Sequence, residues 1–342
     1  MGLPLGAAVE QRERPMKHLR FVVIALFLGV SFADAGSAQD SGSRPTVTRA
    51  ELERWKKELS NWGRWGADDQ RGALNLITPV KRQQAAKLVR DGVSVSLSRD
   101  FETEKSVENP NPAEHKMIGL GMDQIAIRFH GYAHSHMDSL SHVSENGVFY
   151  NGYKPDEATV MRENGHSRNS IINAKNGVFT RAVLIDIPRL KGVEYLEPGT
   201  RIYPADIEAW EKQAGVKVSA GDALLIYIGR WVRRDKVGPW AIQKEAPGLD
   251  ASVIPWLKSR DVALLGGEAS QDAAPGIAEL GTAQPVHNFS LVYLGIHIFD
   301  ALDLTAVARE AAARKRWEFL LTVVPLAIPG GTGSPVNPIA TF

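Results

Sequence analysis

With 40 Lys and Arg against 39 Asp and Glu, the 342-residue chain carries a formal charge of +1 and no field to hold nucleic acid or an anionic membrane surface. At 44% apolar and 23% charged residues it has ordinary globular composition, enough for one large domain or two tightly joined ones. The absence of cysteine removes disulfides, thiolate nucleophiles and Cys-ligated zinc, so any metal must take imidazole and carboxylate ligands.

The N-terminus reads as a targeting segment. "MKHLRFVVIALFLGVSFADAGSAQD" begins at Met16, with Lys17, His18 and Arg20 ahead of an apolar run from Phe21 to about Phe32, then Ala33, Ala35 and Ala38. A basic region, a short apolar region and small residues make a cleavable signal peptide, and the run is too short for a comfortable membrane span. Met16 is the expected start, because the stretch ahead of it carries acidic residues and prolines that suit no targeting segment. Residues 1–38 are therefore an extension plus signal peptide, and 39–48 ("QDSGSRPTVT") a polar leader. The mature protein, from near Gln39, is expected to be exported, periplasmic or secreted, without a stable membrane anchor. Residues 49–342 form the functional domain.

Within it, "TRAELERWKKELSNW" places Leu52, Trp55 and Leu59 at helical spacing. "TPVKRQQAAKLVRDG" predicts a helix with Thr78 as N-cap, Pro79 in the first turn and Gly92 as the stop. "VSVSLS" (93–98) alternates like a strand, and "DQIAIRFHGYAHSHM" has strand character through Ile125, Ile127 and Phe129. "RAVLIDIP" (181–188) and "DALLIYIG" (222–229) read as buried strands, separated by a helix over "YPADIEAWEKQAGV" that ends at Gly215. "VIPWLKSRDVALLGG" predicts helix then strand, and "WEFLLTVVPLAIP" a closing strand. Strands outnumber regular crossover helices, which points to a mixed α/β domain with a mixed or antiparallel sheet.

One stretch stands apart: "RFHGYAHSHMDSLSHV" (128–143) holds four of the nine histidines and an aspartate. Burying several imidazoles is costly unless their nitrogens are satisfied, and a metal ion satisfies them together. In an extended strand His130, His134, His136 and Asp138 share one face, so H-x-H-x-D projects its ligand atoms into one pocket. Asp138 can bridge two ions, and His142, past the turn, can serve as a general base near neutral pH. The blander alternative is a His-rich surface tract binding metal loosely. Against it, the segment is flanked by apolar strand residues rather than polar linker.

The pattern resembles the motif H-x-G-T-H-x-D-x-P-x-H of the cyclase family, which includes bacterial kynurenine formamidase and isatin hydrolase. His136, Asp138 and His142 fall on its later His, Asp and His. The first two positions ligate metal in the family, and the last His is proposed to help catalysis. "NWGRWGADDQRGALNLITP" and "PGGTGSPVNPIATF" look like the longer-chain branch, so the resemblance runs over roughly residues 50–342. "VHNFSLVYLGIHIFDALDL" resembles the second ligand segment, with His287 on its His and Asp300 on its Glu. The resemblance implies a swivelling β/β/α-type single domain, with helices around a mixed β core. It also implies a divalent metal, Zn or Mn, at one or two ions per chain, a small-molecule substrate and a homo-oligomer.

The chain departs from the motif at four positions: Tyr132 replaces the first His, His134 the Gly, Ser135 the Thr and Leu140 the Pro. Either His134 or His130 replaces the missing ligand, or one metal position is lost; both remain open at this point. Three further readings complete the set. "GGTGS" (330–334) is a tight loop near the site, not a phosphate loop. Arg230 and Trp231, after a buried strand, are candidates for a substrate-binding pocket mouth, and Glu268, at a strand end, for a ligand or supporting carboxylate. His297 lies an odd step from Asp300 and faces away from it. The expected activity is hydrolysis of an amide, cyclic amide or lactone carbonyl by metal-activated water. The alternatives are a cyclase or dehydratase using the same metal, or a non-catalytic periplasmic metal-binding protein.

Overall fold

The computed structural model describes residues 46–342; the expected signal peptide, the Met16 start and the leader up to residue 45 lie outside the described residues. Among the described residues no helix is long and apolar enough to cross a membrane.

Helix α1 (Arg49–Glu58) begins with a reciprocal cap: the Glu51 N–H donates to the Thr48 hydroxyl, and the Thr48 N–H donates to the Glu51 carboxylate. Thr78 caps α2 (Pro79–Ala86) as the sequence predicts, but the helix stops well before Gly92. The N–H groups of Asp91 and Gly92 donate to the Phe342 carbonyl instead, so a tertiary contact takes the donors that a longer helix needs. β1 (Ser94–Ser96) follows, then a hairpin of β2 (Glu114–Gly119) and β3 (Met122–Ala126) that forms its own two-stranded sheet. The wholly buried β4 (His136–Asp138) leads through α3 (Glu157–Arg162) to β5 (Val178–Asp186). Next come α4 (Ile187–Lys191), β6 (Arg201–Ile202), α5 (Pro204–Ala214), β7 (Ala223–Tyr227) and α6 (Arg230–Val237). They are followed by β8 (Gly248–Leu249), α7 (Ile254–Ser259), β9 (Leu264–Gly267) and α8 (Pro285–Phe289). The chain closes with β10 (His297–Asp300), α9 (Thr305–Arg314), β11 (Glu318–Val323), β12 (Gly333–Pro335) and β13 (Ile339–Thr341).

Among the described residues nine strands make one mixed sheet in the order β1-β13-β11-β5-β7-β9-β10-β4-β12. The centre, β5 to β10, is parallel and the flanks are antiparallel. Both faces of the centre are covered, which is why β5 and β7 read as almost continuous apolar runs. Side chains alternate between two cores. Val183, Ile185, Leu224, Ile226 and Leu265 share one with Trp210 of α5. Ala182, Leu184, Leu225, Leu264 and Phe299 share the other with Val307 and Ala311 of α9. This is the mixed α/β single-domain fold that the sequence predicts.

The histidine stretch, however, is not one extended strand. Pairing begins only at His136; residues 130–135 bend, with Gly131 at φ 146°, so the two-residue alternation does not extend back to His130 and His134.

Candidate metal centre

The centre forms where β4 lies between β10 and β12. In the antiparallel register Asp300 faces His136 and Ile298 faces Asp138, so the side chains of His136, Asp138 and Asp300 leave the same face. On the other side Gly333 pairs with Asp138. A Cβ there would lie 2.7 Å from the Met137 carbonyl oxygen and 2.9 Å from His130 Cε1, so the approach of β12 requires glycine.

Asp138 is fully buried and everything converges on it. Its Oδ1 is 3.0 Å from His130 Nδ1 and 3.5 Å from His136 Nε2; its Oδ2 is 3.2 Å from His287 Nε2 and 3.8 Å from His142 Nε2. His287 Nε2 also lies 3.5 Å from Asp300 Oδ2. Two groups of ligand atoms result, each within 4.8 Å of one another: His130, Asp138 and His142 at the outer side, and His136, Asp138 and Asp300 inside. The rings of His130 and His142 stack at 3.9 Å.

Surrounding groups fix the ring orientations. The His136 Nδ1–H donates to the His134 carbonyl at 2.8 Å, which turns Nε2 toward Asp138. His130 Nε2 bonds the Thr332 hydroxyl at 3.0 Å, turning Nδ1 inward. The Gln271 amide donates to Asp300 Oδ1 at 3.0 Å and to the Phe299 carbonyl at 2.9 Å. Buried Asp272 accepts the N–H groups of Val286 and His287 at 2.8 and 2.9 Å and so holds the start of α8. Five π-helical residues, Ser290–Leu294, extend α8 toward β10. Such turns recur at functional sites.

The electrostatics suit a cation. Burial alone would raise the Asp138 pKa, but His142, His136, His130 and His287 together hold it well below the usual carboxylate range. Burial likewise opposes protonation of His287, yet Asp138 and Asp300 outweigh it and hold that imidazole well above its ordinary value. Burial pushes His142 down to about 4 despite the pull of Asp138, leaving it neutral near pH 7. Asp138 Oδ1 receives no hydrogen bond of good geometry. A buried carboxylate with an unsatisfied oxygen, ringed by imidazoles, fits a divalent ion, whose ligands are carboxylate and neutral imidazole.

The structure separates the other candidates from this group. His134 joins neither set: its ring is buried edge-on against Phe101 at 5.8 Å, and it serves the centre through its backbone carbonyl. Of the two residues weighed as replacements for the ligand missing at Tyr132, the bend at residues 130–135 brings His130 inward. The Tyr132 hydroxyl bonds Ser270 at 2.9 Å. Glu268 stands in neither group. Its Oε2 accepts the N–H groups of Ile228, Gly229 and Arg230 at 3.0, 2.8 and 3.1 Å, fastening the N-terminus of α6. Arg230 and Trp231 do not stand at a pocket mouth. Both are buried, the guanidinium donating to the Glu268 carbonyl at 2.7 Å and pairing with buried Glu108, and the indole N–H donating to the Leu302 carbonyl. The Arg230 guanidinium turns inward because the Glu268 carbonyl and buried Glu108 take its N–H groups there. His297, as expected, leaves the opposite face from Asp300.

A cavity of about 190 Å³ opens beside His130, with Val107, Phe129, Tyr132 and Arg128 in its wall. Sequence reasoning missed Thr332, Gln271 and Asp272. Only Thr332 carried a signal, by lying in the glycine loop read as near the site.

Against known proteins, residues 78–271 match the model of the Cyclase family. A crystal structure described as a novel cyclase is 30% identical, with a TM-score of 0.73 over 83% of this chain and all of that one. Isatin hydrolase A from Labrenzia aggregata, bound to benzyl benzoate, is 20% identical with a TM-score of 0.52 over 75% of this chain and 94% of its own. Isatin hydrolase A from Ralstonia solanacearum is 18% identical with a TM-score of 0.50, covering 76% and 95%. No curated protein sequence matches the chain significantly. The last two likenesses establish the fold, and the family match agrees with the motif at His136, Asp138 and His142: the chain belongs to the cyclase family.

Proposed function

We propose that the protein is a metal-dependent hydrolase of an amide, cyclic amide or lactone carbonyl. The observation that carries this reading is Asp138, a fully buried carboxylate shared by two sets of ligand atoms. The family and the isatin hydrolase fold support the reaction class. The inner position would be held by His136, Asp138 and Asp300, with His287 between the two carboxylates; the outer would be held by His130 and Asp138, with His142 beside them and its Nε2 free to take a proton. On this reading His130 takes over from the motif histidine that is Tyr132 here, and two ions per chain, Zn or Mn, can bind.

A divalent ion at such a site polarises a carbonyl and lowers the pKa of a bound water. The chain supplies the remainder. His142, neutral and at the solvent-facing side of the group, accepts a proton from the attacking water at Nε2 and returns it to the leaving nitrogen or oxygen. The cavity walls of Phe129 and Tyr132 flank a ring-sized substrate and keep bulk water from its carbonyl. The N-terminal pattern from Met16 supports export to the periplasm or beyond.

The test begins with metal content of protein purified without chelator, beside Asp138→Asn. Two ions in the parent and none in the variant support the shared site; no metal in either, after incubation with zinc or manganese, overturns it. The loaded protein is then assayed on cyclic amides and lactones in ¹⁸O-water. Label in the product supports hydrolysis, and an unlabelled product assigns the cyclase alternative.

A further inference from the structure

The cavity beside His130 has an unbalanced wall. Its buried carboxylate, Glu108, is already engaged: Arg230 pairs with it at 3.4 Å and Arg234 at 3.0 Å, and the Trp240 N–H reaches it at 3.5 Å. The Asn109 amide is engaged as well, donating to the Glu102 and Glu104 carbonyls at 3.0 and 2.9 Å. Arg128 differs. It has no carboxylate partner among the described residues, and its guanidinium meets only the Asn111 side-chain oxygen, at 3.5 Å. Gln243 adds an exposed amide to the same wall. His134 lies there too, buried, with neither ring nitrogen hydrogen-bonded among the described residues. It stands where the motif has glycine, so its imidazole N–H is an addition to the motif. The groups left over for a ligand are therefore donors, and one of them carries a full positive charge.

We propose, resting on the hydrolase reading above, that the substrate is a small carboxylated ring, a cyclic amide or lactone whose carboxylate is taken by Arg128 while its carbonyl meets the metal centre. The planar guanidinium matches a carboxylate through two parallel N–H···O bonds. A cationic substituent finds no free anion in the wall, because two guanidiniums already hold Glu108. A neutral one leaves Arg128 without a counter-charge. Reach fits the assignment. Arg128 precedes His130 by two residues, at most about 7 Å of chain, so a group held by the guanidinium lies within a ring's length of an ion held by His130. Size fits as well. At about 190 Å³ the cavity is below the roughly 300 Å³ at which drug-sized pockets begin, and it admits one ring with a short substituent. Phe129 and Tyr132 would flank the ring, with Arg128 setting which end faces the metal. Arg128 is thus a specificity residue, acting on binding and orientation rather than on proton transfer.

The test uses matched pairs of probes on the full-length, metal-loaded protein: pyroglutamate against pyrrolidinone, and γ-carboxy-γ-butyrolactone against γ-butyrolactone. Within each pair only the carboxylate differs. Hydrolysis is expected to favour the carboxylated ring at least tenfold in kcat/KM, mainly through KM. Arg128→Gln should erase that preference, whereas Arg309→Gln, which removes the same charge at an exposed position of α9, should keep it. Calorimetry gives a readout without turnover: pyroglutamate should bind the parent at least tenfold more tightly than Arg128→Gln. Equal hydrolysis of the two rings in each pair overturns the carboxylate assignment and leaves the hydrolase reading standing. Arg128-dependent binding of pyroglutamate with no ring opened in either pair overturns the hydrolase reading and keeps the anion subsite. Absence of both the preference and the Arg128-dependent binding overturns the subsite.

Discussion

His297 is a residue at which acid should work on the fold away from the metal centre. It begins β10, is fully buried, and neither ring nitrogen has a hydrogen-bond partner among the described residues. Burial pushes its pKa down to about 3, with Arg71 adding to the effect and Asp69 and Asp138 opposing it. In the unfolded chain the same group titrates near 6.5, so below that pH the unfolded state binds a proton that the folded state refuses. The contribution is thus fully present above pH ~6.5 and is lost as the pH falls toward 3. At pH 5 the mismatch spans about 1.5 pH units, or about 2 kcal/mol at 1.36 kcal/mol per unit. At pH 4 it reaches about 3 kcal/mol. The assay is urea unfolding of the parent and His297→Leu, both in chelator so that metal binding does not enter. Whatever the difference between them at pH 8, it should move in favour of the variant by about 2 kcal/mol by pH 5. Parallel loss of stability in the two proteins would refute the argument.

Three further outcomes are expected. Gln271→Leu removes the amide that steadies Asp300, and should weaken metal affinity by about 10- to 100-fold in chelator competition while the folded spectrum is retained. Arg230→Ala leaves the buried Glu268 carbonyl without its guanidinium donor, while Glu108 keeps Arg234 at 3.0 Å, and should cost about 1–3 kcal/mol in denaturant unfolding, although no metal-site residue is touched. Gly72→Ala, at φ 55°, would set its Cβ 2.2 Å from the Gly295 carbonyl oxygen and should cost more than about 2 kcal/mol in the same assay. Gly63→Ala, at φ 72° with open space around it, should cost only the left-handed strain of about 1–2 kcal/mol.

Much of this fold is legible in the sequence because local and tertiary preferences agree. The cap at Thr78, the stop at Gly215 and the runs of β5 and β7 each lie where pattern and burial coincide. The reading failed where a distant group intervenes, as at Asp91 and Gly92, whose donors are taken by Phe342. The candidate site divides the same way. His136, Asp138, His287 and Asp300 follow from spacing and resemblance, since β4 and β10 pair in register. His130 and His134 exchanged expectations because the bend at Gly131 breaks the alternation that a sequence pattern assumes. Arg230 looked like a pocket residue because a strand end is a common place for one, and nothing local discloses Glu108, more than a hundred positions away, as its partner.

The position of Asp138 between strands that are neighbours in space and distant in sequence has a consequence for folding. An ion held by Asp138 and Asp300 would close a loop of about 160 residues, in a chain with no cysteine to do so. A disulfide across a 100-residue loop is worth about 4.7 kcal/mol on chain-entropy grounds, and a metal bound only by the folded state acts in the same direction. A centre so loaded would also be a removable cross-link between β4 and β10, and chelation would then loosen the edge of the sheet that carries β4 and β12.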